Sequence, residues 1–151
     1  ENDLLWMRAS ASMPIASKPV RIGDSTYLDG GIADSIPYEY MESIGYNRNV
    51  IVLTQPKGYV KKKSPFIIQM ALHKYPAIAE GMANRHVIYN RQVEGVEKRE
   101  ADGQSFVIRP PEKIGIGRTE KDPEKLEKAY RTGRLEAERV LPELRAFLGL
   151  E

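Results

Sequence analysis

Apolar residues fall in short, differently spaced groups along the 151-residue chain, and their spacing predicts the elements. Leu4, Leu5 and Met7, ahead of Arg8, read as the last turns of a helix. The stretch ASASMPIASKP follows; its small residues and two prolines predict an irregular loop. Val20 to Gly23 and Thr26 to Asp29 are short β-type runs around Asp24-Ser25, which predicts a hairpin ended by Gly30-Gly31. Asp34-Ser35-Ile36-Pro37 reads as a helix entry, with Asp34 or Ser35 as cap. That helix runs through Tyr40, Met41 and Ile44 to Gly45. Asn49 to Thr54 (NVIVLT) is an apolar run from Val50 to Leu53 with four β-branched residues in the segment, the pattern of a strand buried on both faces. Helix, glycine and buried strand together favour α/β architecture.

The second half is more helical. Ser64-Pro65 opens a helix from Phe66 to about Lys74, and Pro76 opens another. Ile78, Met82, Tyr89 and Val93 keep to one face of that second helix. Ala101-Asp102-Gly103 is a turn and Phe106 to Arg109 a strand, ended by Pro110-Pro111. Residues 112–151 form a charged helical segment, with nine basic and nine acidic side chains. Asp122 caps it and Pro123 opens it. Leu126, Tyr130, Gly133, Ala137, Val140, Leu141, Leu144 and Leu148 mark its apolar side. Glu124–Lys128 and Glu127–Arg131 are i,i+4 pairs in the favourable order, and Pro142 is expected to kink the helix.

Composition narrows the function classes. The 23 Lys and Arg against 21 Asp and Glu leave a net charge of only +2, with 41% hydrophobic residues: the balance of an ordinary globular domain rather than a disordered chain. Without cysteine there is no disulfide scaffold, thiolate metal site or cysteine nucleophile. The longest apolar-rich stretch, Phe66 to Leu72, is far short of the ~20 residues that span a bilayer. No nucleic-acid-binding motif accompanies the slight basic excess. No metal or cofactor is expected: His73 and His86 have no clustered carboxylates, and Glu39, Glu42 and Glu80 do not form a pair for glycosidase chemistry. The chain opens in a helical pattern without an initiator Met, so a longer parent polypeptide is expected.

Tyr27-Leu28-Asp29-Gly30-Gly31-Ile32 is the segment where chemistry concentrates. An acid at a strand end followed by two glycines sits where α/β folds place function, and the glycines allow a sharp turn and close approach. Asp-Gly-Gly is also ordinary turn chemistry. The choice changes once the surroundings are read. ASASMP, Lys18-Pro19-Val20, Gly23, Tyr27 to Gly31, Asp34 and Ile36-Pro37 together resemble the carboxyl-terminal part of a patatin-like phospholipase domain. NVIVLT, Pro56 to Tyr59, FVIRP and Lys125-Leu126…Tyr130-Arg131…Gly133 are similar to its bacterial members, so the resemblance extends over residues 1–151. It implies a three-layer α/β/α fold, here only its C-terminal portion. It also implies a serine esterase acting on lipid or fatty-acyl esters through a Ser–Asp dyad, with Asp29 as the dyad aspartate and Gly30 and Gly31 shaping its turn.

The family's nucleophile sits in a G-x-S-x-G elbow. No such motif occurs in the chain, nor does the family's Gly-rich oxyanion loop. The serine is therefore expected upstream; the competing reading is a non-catalytic domain that binds lipid or protein. Ser10, Ser12 and Pro14 either line the substrate cleft or simply permit tight packing. Lys57, Lys61, Lys62 and Lys63, beside an apolar helix, suggest contact with an anionic membrane; the competing view is a solvated loop ahead of a core helix. These features together fit a cytoplasmic enzyme peripheral to the membrane, and an open sheet edge would permit self-association.

Overall fold

Turn chemistry closes the hairpin between the first two β-type runs. In the computed structural model, which describes residues 2–14, 16–117 and 119–150 (without the side chains of Asn2, Gln69 and Ala71), β1 (Val20–Ile22) pairs antiparallel with β2 (Ser25–Tyr27). Val20 lies opposite Tyr27 and Ile22 opposite Ser25, so the turn is Gly23-Asp24, one residue earlier than the sequence suggests. Gly23 decides this: its φ of 58° is the left-handed conformation that a two-residue hairpin turn demands. Ile15, inside the expected loop, and Arg118 lie outside the described residues.

The remaining elements are α1 (Asn2–Ser10), a 3₁₀ turn at Gly30–Ile32, α2 (Tyr38–Ser43), β3 (Asn49–Val52), α3 (Phe66–Ala71), α4 (Pro76–Ala101), β4 (Ser105–Ile108), α5 (Pro123–Arg139) and α6 (Leu141–Leu148). Mixed helices and strands in small sheets make this an α/β chain. No helix among the described residues is long and apolar enough to cross a membrane.

The chain divides into two units, residues 1–37 with 61–94, and residues 38–60 with 95–151. In the first, α1 packs on β1, and Trp6 meets the Tyr27 ring edge-on at 4.8 Å. Its core gathers Ile32, Leu72 and Met82, with Leu28, Ile68, Ile78 and Ala79 against them. The expected helix entry at Asp34-Ser35 uses both side chains differently. Asp34 accepts from Gln92 and the Ser35 hydroxyl donates to the Gly31 carbonyl, so Asp34 is tied to α4 and Ser35 to the Asp29 loop.

In the second unit β3 runs parallel to β4, with Asn49 opposite Ser105 and Val52 opposite Ile108. The expected two-sided burial of this strand does not hold. Ile51 and Leu53 are buried, whereas Val50 and Val52 on the other face remain 39% and 70% exposed. A two-stranded sheet with one covered face alternates, whatever the apolar content of its sequence. The C-terminal helix also differs from expectation. Pro142 ends it rather than kinking it: α5 stops before Val140, and α6 begins again with the proline in its first turn. Proline has no N–H for a continuing helical bond. Asp122 caps α5 as expected, accepting from the Glu124 N–H at 3.0 Å. Glu127 and Arg131 pair at 2.7 Å; Glu124 and Lys128 form no ion pair among the described residues, and Arg134–Glu138 does instead. The apolar side of α5 is uncovered at Leu126 and Tyr130, and Leu135, on the opposite face, is exposed as well.

The best-organised polar cluster of the second unit surrounds Tyr38, which is buried beneath the Arg99 guanidinium at 4.3 Å. Arg99 grips Glu42 through Nε and through a second bond to Oε2 at 2.7 Å, which holds the Glu42 carboxyl below its usual range. Burial pushes the Tyr38 hydroxyl above its ordinary value. Gly95 permits this arrangement: a Cβ there would sit 2.0 Å from the Tyr38 hydroxyl oxygen.

Two helical glycines should therefore respond in opposite ways. At Gly133 of α5 an added Cβ meets nothing within 4 Å. Gly133→Ala should raise stability by about 0.5–1 kcal/mol, the helix-propensity gain. At Gly95 the same gain is outweighed by overpacking of ~1–3 kcal/mol or more against a rigid, buried ring, so Gly95→Ala should destabilise. Urea denaturation of the two variants measures both signs.

Candidate functional site

Asp29 follows the hairpin directly and is fixed from both sides along the chain. Its N–H donates to the Ser12 carbonyl at 2.9 Å, and its Oδ1 accepts from the Gly31 N–H at 2.7 Å. This is an Asx turn, the local solution available to a short carboxylate ahead of glycine. It caps the 3₁₀ turn Gly30–Ile32. The carboxylate is half-buried, and its Oδ2 accepts no hydrogen bond among the described residues.

A residue with a Cβ at position 31 would crowd this carboxylate. The added atom would lie 3.1 Å from Asp29 Oδ1 and 3.4 Å from an Arg85 nitrogen. A side chain at position 31 would thus fit only if the Asp29 carboxylate or the Arg85 guanidinium gave way by a few tenths of an ångström. At Gly30 a Cβ would meet open space, so nothing about packing there demands glycine.

Helix α4 supplies what holds the loop. Arg85 Nε donates to the Gly31 carbonyl at 2.6 Å, and the Ser35 hydroxyl donates to the same oxygen at 2.7 Å. Gln92 is buried; its Nε2 donates to Asp34 Oδ1 at 2.5 Å, and its Oε1 accepts the buried Ile36 N–H at 3.2 Å. Gly81 brings α4 close enough, since a Cβ there would stand 2.9 Å from Ile32 Cγ2. The segment from Asp29 to Ile36 is therefore tied to one helix at three levels, by Gly81, Arg85 and Gln92.

Reading the sequence alone missed these three residues, because they lie about fifty positions or more from the loop residues they meet. A signal was present. Met82, Tyr89 and Val96 repeat every seven residues as the buried stripe of α4, while Arg85, Gln92 and Arg99 repeat with the same period beside it. Polar side chains set along a buried stripe require partners.

Of the expected cleft residues, Ser12 is buried and structural. Its hydroxyl donates to the Arg8 carbonyl at 2.7 Å, and its own carbonyl holds Asp29. Ser10 is exposed at the end of α1, and Pro14 is half-buried in the loop. Lys57, Lys62 and Lys63 are exposed, whereas Lys61 is drawn onto α4 with its ammonium 4.2 Å above the Tyr89 ring. His73 is exposed and His86 half-buried, neither within a cluster; among the described residues no group of three His, Asp or Glu could hold a metal ion.

The arrangement can present one carboxylate oxygen, at a fixed rotamer, beside a glycine turn open on its Gly30 side. That is enough for a base or an orienting acceptor.

Comparison with curated proteins and with solved structures yields no match to the chain. Two family models match. Residues 75–149 match a domain of unknown function (DUF6363), which takes in α4 with Arg85 and Gln92 as well as β4, α5 and all but the end of the C-terminal segment. The likeness to phospholipases is narrower than the sequence resemblance suggests, leaving NVIVLT and FVIRP outside it: the model described as Patatin-like phospholipase, a lipid hydrolase family, matches residues 4–41, the segment that contains most of α1, the hairpin and Asp29-Gly30-Gly31.

Proposed function

We propose that this chain supplies the aspartate of a Ser–Asp dyad in a lipid acyl hydrolase, the serine being provided from outside these 151 residues. The observation that carries the reading is the patatin-like match over residues 4–41, with Asp29 at its centre of chemistry. Support comes from the pinned geometry, in which Oδ1 is spent on the Gly31 N–H and Oδ2 is left to meet a hydroxyl.

The chemistry balances with these parts. Asp29 takes the proton from a serine hydroxyl as the oxygen attacks an ester carbonyl. Collapse of the tetrahedral intermediate breaks the ester C–O bond. The leaving alcohol receives the proton from Asp29, and the acyl group stays on the serine. Water then attacks, Asp29 takes its proton, and fatty acid leaves as the serine regains its hydrogen. The parent fold in this reading is the three-layer α/β/α arrangement, of which residues 1–151 form the C-terminal portion and residues 112–151 the charged helical end. The exposed Val50 and Val52 face of β3 fits a sheet that a further layer covers on that side in the parent fold. A non-catalytic domain that binds lipid or protein is the competing reading; the missing elbow motif speaks for it. Loss of ester hydrolysis on Asp29→Asn in the full-length gene product separates the two.

A further inference from the structure

Helix α3 is apolar on two sides but buried on one. At 100° per residue, Phe66, Met70 and Ile67 fall within an arc of about 100°, and Ile68 points roughly opposite to Phe66. Ile68 packs on the Ile32, Leu72 and Met82 core, and Leu72 is itself buried. Phe66, Ile67 and Met70 stay 70%, 71% and 58% exposed. Core packing therefore accounts for only half of this helix. Large apolar side chains grouped on one exposed face mark an interaction surface.

Charge selects the partner. From Ser43 to Ala79 the sequence has no Asp or Glu, yet it carries Arg48, Lys57, Lys61, Lys62, Lys63 and Lys74. Lys62 and Lys63 precede α3 and Lys74 follows it; all three are exposed and form no ion pair among the described residues. The loop that bears them is anchored rather than loose. The Lys61 N–H donates to Asn90 Oδ1 at 2.8 Å, and its carbonyl accepts from Asn90 Nδ2 at 3.1 Å. A second copy of the chain docking here through a twofold contact would set lysines against lysines, which disfavours self-association. An anionic bilayer satisfies both features, since apolar side chains enter the headgroup–acyl boundary while lysines meet lipid phosphates.

We infer that Phe66, Ile67 and Met70 with Lys62, Lys63 and Lys74 form a docking surface for anionic phospholipid bilayers. It rests on the first unit alone and stands whether or not Asp29 acts as a base. Lys61, committed to Tyr89 and Asn90, holds the loop rather than the lipid.

Co-sedimentation with phosphatidylcholine vesicles, with and without phosphatidylglycerol, tests it on the full-length gene product. The parent should pellet with the anionic vesicles, and less so as salt shortens the Debye length from ~10 Å at 0.1 M to ~3 Å at 1 M. Replacing Phe66, Ile67 and Met70 by Ser should lower the bound fraction about tenfold or more, with the unfolding midpoint unchanged because all three are exposed. Lys62→Gln, Lys63→Gln and Lys74→Gln together should remove the preference for anionic vesicles, on the order of a hundredfold at low salt. Failure of the parent to pellet, equal pelleting of parent and both variants, or loss of a dimer in the Ser variant with vesicle binding intact would each overturn the inference. Vesicle binding needs no turnover, so this result stays distinct from the fate of the dyad assignment.

Discussion

Asp29→Asn should lower the kcat for hydrolysis of a nitrophenyl ester by about 10²–10⁴-fold in the full-length gene product, the range that general base catalysis contributes. The change keeps the side chain's size and one carbonyl-type oxygen, so the bond from the Gly31 N–H can persist and the Asx turn with it. What disappears is the proton acceptor. Folding should be nearly unaffected, because the residue is half-buried and its backbone bond to Ser12 is independent of the side chain. Retention of more than about a tenth of the parent rate, too much for a lost base, would leave Asp29 a turn residue only. That outcome is physically reasonable for Asp-Gly-Gly, which is why the variant is informative.

Gln92→Leu is expected to have the largest effect of any substitution away from Asp29. Leucine fills a similar volume, so packing around position 92 changes little. Two bonds are lost, however. The Ile36 N–H is buried and has no other acceptor among the described residues, and stranding such a group costs about 1–3 kcal/mol. The bond to Asp34 is charge-assisted, but Asp34 is exposed and rehydrates, so its loss adds less. A total of about 2–3 kcal/mol should appear in urea denaturation. The same change loosens the segment from Asp29 to Ile36, and a displacement of ~1 Å at a catalytic group can cost ~10²-fold in rate. A variant with parent-like stability and parent-like kcat would show that α4 does not position the loop.

Local signals in the sequence were reliable where a single short segment decides the outcome. Gly45 ends α2 with φ 100°, and Asp122 with Pro123 starts α5, because caps and turns are chosen within a few residues. The hairpin was legible for the same reason, and its turn slipped by one only because Gly23 outcompetes Ser25 for a positive φ. The strand NVIVLT shows the other case. Its apolar run fixes a strand, but whether Val50 and Val52 are covered depends on what lies across from that face, and β4 supplies only a neighbour at the edge. The site divides in the same way. Asp29 and Gly31 could be picked out because they form one turn. Arg85 and Gln92 reach that turn from another element, so no spacing near Asp29 announces them. The lysine loop was legible as charge, whereas the exposed apolar side of α3 depends on which half of a largely apolar helix the core takes.

The most direct test of the dyad is the site and rate of modification by a serine-reactive fluorophosphonate, read by mass spectrometry. The full-length gene product should carry one adduct, on a serine outside residues 1–151, and Asp29→Asn should slow its formation by about 10²–10⁴-fold. The 151-residue chain alone should remain unmodified. An adduct on any serine of this chain, or an unchanged rate in the Asp29→Asn variant, would contradict the assignment.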